Sequence, residues 1–525
     1  MGLRWPGSRW RLGWGNSIRP LGLSRQAADR FEGDREVMSR SLVSVALWLV
    51  LAVCGRAAER PNVVVFLVDD LGWTDLGCCG SDLYQTPHID RLAVSGMRFT
   101  AAYAACTVCS PTRAALMTGM YPARLNLTDW IDGMWENLAP ARRARHPLRP
   151  PEWTQRLEHR YVTLPEVLRR AGYRTAHIGK WHLTPRSDDP AVLSKFYPDR
   201  HGFEVNISGN QWGAPGSYFW PYRRGKKKDD IGARVKNFPD SRTTRGRYLT
   251  DMLADQAVGL IEKWKDSPFF LHIAHYAVHT PIQGRKDLVE KYRKKITPGH
   301  RHRNAQYAAM VESVDESVGR VVSTLGRLGL SKDTLIIFTS DNGGLIHARN
   351  GPTDNRPLRA GKGSAYEGGV RVPAIVSWPG RIKPGAISRE PVITCDWHPT
   401  VLEVAGVSRV AGQNDDVDGV SLVPLLMASR GVVERRDLFW HYPHYHRGGA
   451  TPYSAIRSGP WRLIEFYEGR RIELYHLERD LSEKIDLVKT HPAKAAELLK
   501  RLRQWRKRVG AQDPRPNPAF QSRSR

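Results

Sequence analysis

Cysteine is scarce in this chain, with six residues in 525, at positions 54, 78, 79, 106, 109 and 395. So few cannot staple a chain of this length, which excludes a disulfide-built scaffold. Cys106 and Cys109 have the spacing of a redox pair or half a zinc site. A zinc site needs a second ligand pair at suitable spacing, and the adjacent Cys78 and Cys79 do not supply one. Acidic residues are short as well, 53 against 80 Lys and Arg, for a formal charge of +27. Two readings of that excess stand: a general arginine bias on solvated faces, or a preference for anionic partners such as nucleic acid, a membrane surface or a sulfated or phosphorylated substrate. The clusters Arg142-Arg143-Ala144-Arg145, Lys226-Lys227-Lys228 and Arg293-Lys294-Lys295 fall in expected loops with no interleaved aromatics, which argues against a nucleic-acid platform. No repeat period is apparent.

The apolar run Leu42–Cys54 is too short for a stable membrane span. With the basic start after Met38 and the small residues Gly55 and Ala57 it has the architecture of a secretory signal. Translation is therefore expected to begin at Met38, leaving 1–37 untranslated, with 38–58 a leader cleaved near Ala57 or Ala58. The mature protein is expected to be exported, periplasmic or extracellular. A lipid anchor at Cys54 is disfavoured by Val53 before it.

From Pro61 onward, buried-strand runs alternate with helical patterns, which points to α/β layering around a largely parallel sheet. The runs NVVVFLV (62–68), FFLHIAH (269–275) and TLIIFTS (334–340) have strand length. Val314, Val318, Val321 and Leu325 repeat at helical spacing, as do Leu253, Leu260 and Trp264. Polar groups follow each strand: Asp69-Asp70, then Tyr276-Ala277-Val278-His279, then Asp341-Asn342-Gly343-Gly344. Open α/β sheets bind ligands in the crevice at the carboxyl ends of their strands, so a site is expected there. Near residue 430 the texture changes to short antiparallel strands, followed by a helix over 492–508 and a basic, disordered tail. This predicts a catalytic domain over 59–430 and a C-terminal subdomain over 431–525.

The string CSPTRAALMTG, residues 109–119, resembles the signature of the type I sulfatases, arylsulfatase-like enzymes of the alkaline phosphatase superfamily. In that family the first Cys is oxidised after translation to formylglycine by an enzyme that reads Cys-x-Pro-x-Arg. Cys109 satisfies the pattern with Pro111 and Arg113; Cys106 does not, since Val108 and Ser110 stand at the matching positions. Thr112 replaces a common Ser. The resemblance continues in order through NVVVFLVDDLGWTDLGCCG, GKWH, HTP, SDNGG and GKGSAYEGGVRVP, and implies an alkaline-phosphatase-like α/β sandwich with a smaller C-terminal antiparallel sheet. Val278 departs from it, where many relatives have Pro before the histidine.

The resemblance implies sulfate-ester hydrolysis. Asp69, Asp70, Asp341 and Asn342 are four oxygen donors on two strand ends, suited to one divalent cation, Ca2+ with Mg2+ as the alternative. Residue 109, as the hydrated aldehyde, would complete that shell and attack sulfur. Its second hydroxyl lets the covalent sulfate be expelled. Arg113, Lys180 and Lys362 would neutralise the anion. His182 would assist collapse of the hydrate, and His279 would protonate the leaving alcohol. The segments 126–135, 208–222 and 441–449 combine Trp, Tyr and His with Gly and Asn, which suits sugar rings or, equally, packing at a domain boundary. Secretion and positive charge then favour a sulfated polysaccharide or its oligosaccharides. The rival readings are a phosphatase, phosphodiesterase or phosphonate hydrolase of the same superfamily, and a catalytically dead glycan-binding protein.

Overall fold

Alternation of side chains builds the centre of the molecule from the first strand. In β1 (Asn62–Val68) every residue is buried; Val64, Phe66 and Val68 enter one core, and Val63, Val65 and Leu67 enter another on the opposite face. A strand buried on both faces needs helices on both sides. The helices Pro87–Ser95, Leu249–Trp264 and Ala305–Arg327 cover the first face; Cys109–Thr118, Leu164–Arg170 and Trp397–Val404 cover the second.

The computed structural model describes residues 60–223, 235, 246–347, 351–407, 416–427, 431, 433 and 437–521. The expected start at Met38, the leader, Cys54 and the Lys226-Lys227-Lys228 cluster lie outside them. Residues Arg60–Arg525 form one compact unit. Its further strands are β2 (Met97–Tyr103), β3 (Leu148–Arg149), β4 (Arg174–Gly179), β5 (Val205–Ile207), β6 (Phe269–Ala274), β7 (Thr334–Ser340), β8 (Arg371–Ser377), β9 (Ala386–Ser388) and β10 (Val392–Ile393). The large sheet runs β10-β2-β8-β7-β1-β6-β4-β5, with β9 also paired to β2. Only β8 opposes its neighbours, so the α/β class with a mostly parallel sheet is the one observed. The run β7, β1, β6, β4 is parallel throughout, and its four carboxyl ends lie along one edge.

A second, antiparallel sheet follows in the order β11 (Asp437–Tyr442), β12 (Tyr453–Ser458), β13 (Trp461–Phe466) and β14 (Ile472–His476), covered by the helix Pro492–Val509. Its core includes Ala105, Cys106, Val108 and Ala115, so it packs directly behind the helix that begins at Cys109. A buried charge network joins the two sheets. Glu367 is ion-paired with Arg371 on β8 and Arg462 on β13, accepts from Tyr103 Oη on β2 at 2.7 Å, and donates its backbone N–H to Glu483 at 2.7 Å.

Two local expectations are corrected. Arg293, Lys294 and Lys295 form the last turn of the helix Lys286–Lys295, and Arg142 and Arg143 end the short helix Pro140–Arg143, rather than loops; cations there complement the negative end of the helix dipole. The chain after Val509 is ordered through residue 521: β15 (Arg515–Pro516) pairs with β3, and the Asn517 amide donates to the Arg143 and His146 carbonyls. Composition misses this because the tail borrows its partner from a distant loop.

Candidate active site

Strand register sets the first pair of carboxylates side by side. Val68 on β1 matches Ser340 on β7, so Asp69 and Asp341 both emerge one residue beyond a paired position. Asp70 follows with φ +62, a left-handed conformation that Asp tolerates better than most side chains and that functional sites recurrently hold. Behind them sit three buried cations from other elements. Lys180, after β4, donates to Asp69 Oδ2 at 2.7 Å; Lys362 meets Asp70 Oδ1 at 2.6 Å. Arg113 clamps Asp341 Oδ2 from Nε (2.9 Å) and Nη2 (2.6 Å), and its Nη1 donates to the Lys180 carbonyl at 2.8 Å.

Cys109 is buried at the first position of its helix, where unpaired backbone N–H groups favour negative charge. Arg113 lies one turn later on the same face. Thr112 braces the approach, accepting from the Cys106 N–H at 3.0 Å, so a hydroxyl is what this position uses. Thr107 Oγ1 donates to the Ser364 carbonyl at 2.9 Å, and Gly363 N–H to the Thr107 carbonyl at 3.0 Å, which ties this loop to the segment bearing Lys362. Cys106 remains a free thiol, its ionisation pushed up by burial.

His182 faces residue 109, with Nδ1 3.4 Å from Cys109 Sγ. Its Nε2 donates to the Ile131 carbonyl at 2.6 Å, which leaves Nδ1 as the lone-pair nitrogen toward Cys109. Burial first, then the charge of Lys180, hold its pKa well below the ordinary value. His279 sits 3.7 Å from Asp70 Oδ2 through Nε2, with Nδ1 bonded to the Thr280 carbonyl. Burial, reinforced by Lys362 and opposed by Asp70, lowers its pKa to about 3. The Val278 substitution leaves it on the wall of the site cleft.

All of the sequence-predicted site residues thus converge. The donors also fit a cation. Asp69 Oδ1, Asp70 Oδ2 and Asn342 Oδ1 are buried without hydrogen-bond partners, and Asp69, Asp70 and His279 bring ligand atoms within 4.8 Å of one another. Asn342 turns its amide N–H to Asp70 Oδ1 at 2.7 Å, which frees its oxygen. Burial pushes Asp69 well above the ordinary carboxylate range, with Asp341 and Asp70 adding to it against Lys180. Asp341 is engaged more fully than the other three: Oδ2 takes both Arg113 bonds, and Oδ1 accepts the Asp70 N–H at 3.2 Å and keeps a lone pair for a cation.

Above this floor opens a cleft of about 760 Å³. Each of the three aromatic segments lines it: Trp130, Ile131, Asp132 and Met134 from the first, Gln211 and Trp212 from the second, His446 and Arg447 from the third. The first is braced by residues that no motif announced. Asp129 accepts from Tyr442 Oη at 2.7 Å, from the Trp130 N–H at 2.9 Å and from the Met134 N–H at 3.3 Å. Ser110 Oγ completes the brace, accepting the Ile131 N–H at 3.1 Å and donating to the His182 carbonyl at 2.9 Å. The C-terminal sheet, through Tyr442, therefore holds the loop whose carbonyl sets the His182 tautomer. Burial, outweighing these donors, raises the Asp129 pKa to about 8.

Comparison with known proteins places this geometry. The Sulfatase family model matches residues 61–407, and that of the N-sulphoglucosamine sulphohydrolase C-terminal region matches 361–509. A sulfatase of Formosa agariphila is 34% identical over 503 residues, covering 86% of this chain and 89% of its own. The N-acetylgalactosamine-6-sulfatase of Mus musculus is 34% identical over 441 residues, covering 81% and 76%. The crystal structure of Ps i-CgsB in complex with k-i-k-neocarrahexaose superposes with a TM-score of 0.69 at 29% identity, covering 85% of this chain and 93% of that one.

The brace predicts a positioning effect. Asp129→Ala should lower kcat toward an aryl sulfate by about 10- to 100-fold, the cost of a misplaced catalytic group, with a smaller change in KM. Because folding raises the Asp129 pKa, the protonated carboxyl contributes folding stability that is full at low pH and is lost as pH rises through about 8, while the three hydrogen bonds to its oxygens persist. Asp129→Asn, which keeps the oxygen that Tyr442 and Trp130 use, should restore most of kcat and remove the fall of Tm with pH; equal damage to kcat from both variants would contradict the assignment.

Proposed function

The chain belongs to the sulfatase family of sulfuric ester hydrolases, and we propose that its substrates are sulfated polysaccharides or their oligosaccharides, cleaved after Cys109 has been oxidised to formylglycine. The observation that carries this reading is the position of Cys109: a buried residue at a helix N-terminus, opening onto a sugar-sized cleft and facing three cations and a set of unpartnered oxygen donors. The aromatic walls suit a carbohydrate, and the relatives include a protein named for an aminosugar sulfate and another solved with an oligosaccharide. Maturation would require a formylglycine-generating enzyme as partner, and a leader over 38–58 would deliver the protein to the periplasm or the extracellular space.

Formylglycine at residue 109 supplies, as its hydrate, an oxygen nucleophile and a second hydroxyl through which the sulfated enzyme is released. Asp69, Asp70, Asp341, Asn342 and residue 109 would hold one divalent cation, Ca2+ or alternatively Mg2+, which supplies charge that acidifies the hydroxyl at 109. Within this frame Arg113 and Lys180 hold the carboxylates in place, and Lys362, on the cleft wall, meets the sulfate oxygens. His182 Nδ1 takes and returns the proton at residue 109. His279 Nε2 gives a proton to the leaving oxygen. An arriving anion offsets Lys362, the main charge opposing protonation of His279, and so draws its pKa upward from about 3.

Four outcomes test this. Coexpression with a formylglycine-generating enzyme should yield a tryptic peptide around residue 109 lighter by the difference between CH2SH and CHO, with sulfate released from aryl esters and sulfated oligosaccharides. Cys109→Ala should lose more than about a thousandfold in rate. Unmodified Cys109, under conditions that convert a control sulfatase, would overturn the reading. His279→Asn should slow esters of poorly acidic alcohols by about 10²- to 10⁴-fold while sparing activated aryl esters, the signature of a lost general acid. Adding Ca2+ to chelated protein should raise Tm, and Asp70→Asn should abolish that rise; an unchanged Tm in the unsubstituted chain would remove the cation from the proposal.

A further inference from the structure

The cations around residue 109 are internally committed. Lys180 pairs with Asp69, Lys362 with Asp70 and Arg113 with Asp341. On the cleft wall, half-exposed Arg186 is ion-paired with Asp132 and stacked over Trp212 at 4.4 Å. Arg447 differs from all of these. It is exposed, it lines the same cleft, and among the described residues it makes neither an ion pair nor a hydrogen bond.

The turn that carries Arg447 is held against the catalytic floor rather than loose. His446 N–H donates to the Ala450 carbonyl at 2.9 Å, and Ala450 N–H to the Gly363 carbonyl at 2.9 Å, one residue after Lys362. Gly363 has φ +72, and a Cβ on it would collide with the His446 ring; a Cβ on Gly448 would collide with the Lys362 carbonyl. Only glycine permits that approach. Gly448 N–H donates to His446 Nδ1 at 2.9 Å, so Nδ1 is the acceptor and the proton is on Nε2. The turn thus presents a fixed N–H donor next to an unpaired guanidinium, at the mouth of the site.

We propose that the His446–Arg447 turn is a second subsite, which binds an anionic group of the substrate other than the ester being cleaved. Arg447 pairs with a second sulfate or a carboxylate on the sugar, and His446 Nε2–H donates to a sugar oxygen beside the scissile ester. The guanidinium fork matches either oxyanion bidentately, and no existing ion pair has to be broken for it to do so. This rests on the sulfatase reading and narrows its substrates to multiply charged oligosaccharides.

Calorimetry in the Cys109→Ala background, where sugars bind without turnover, separates the outcomes. The probes are three size-matched disaccharides: one monosulfated and otherwise neutral, one disulfated, and one monosulfated with a uronate carboxylate. The second anionic group should tighten binding by about tenfold, and whichever of the two charged probes gains identifies its chemistry. Adding Arg447→Gln should bring that ratio to near one, and Arg447→Lys should leave part of it. A ratio near one before Arg447 is changed, or a ratio that survives Arg447→Gln, overturns the subsite. Sulfate release from an aryl ester by the formylglycine-bearing enzyme is measured separately; its absence sinks the sulfatase reading, not the subsite.

Discussion

Everything at the catalytic edge depends on a buried array of opposite charges: Asp69 with Lys180, Asp70 with Lys362, Asp341 with Arg113. Isolated charges could not be held in so dry a place, and breaking one partner from such a pair costs about 3–5 kcal/mol. The six cancel formally. A divalent cation among the unpartnered oxygens of Asp69, Asp70 and Asn342 would therefore leave the site net positive. That is the electrostatic state an anionic ester requires, and each of these buried charges acts with more force than it would in solution.

The array is assembled by topology. Four adjacent parallel strands deliver Asp69, Lys180, His279 and Asp341 to one edge, and the loop after β2 delivers Cys109 to the same place. Lys362 arrives ahead of β8, whose reversed direction puts its amino end, not its carboxyl end, beside the others. The antiparallel sheet then reaches the site from behind. Its core packs on the Cys109 helix, Tyr442 holds the Asp129 loop, and the turn after β11 lies on Gly363. The second sheet is thus part of the catalytic architecture as well as a cover for the first.

The legibility of these features in the sequence followed their range. Strand runs such as NVVVFLV and the helical valines of 305–327 were readable because their pattern lies within one element. The site residues were readable because short strings announce them and because most of them follow the carboxyl end of a strand or lie in the first turns of a helix. The Asp129–Tyr442 brace was not, since its partners are 313 residues apart and each is an ordinary residue in its own context. The tail strand failed for the same reason: Arg515 pairs with Arg149 across most of the chain.

The sequence by itself determined the α/β layering, the Cys-x-Pro-x-Arg string at Cys109, the cations and carboxylates that gather around it, and three aromatic segments suited to a ligand. Those follow from local pattern and from the chemistry of individual side chains. Tertiary structure alone decided which oxygens were left unpaired, which His182 nitrogen faces residue 109, and that all three aromatic segments line one cleft with Arg447 free on its wall. Hydrogen-bond partnership and charge neutralisation are properties of neighbours in space, and the register of distant strands supplies those neighbours.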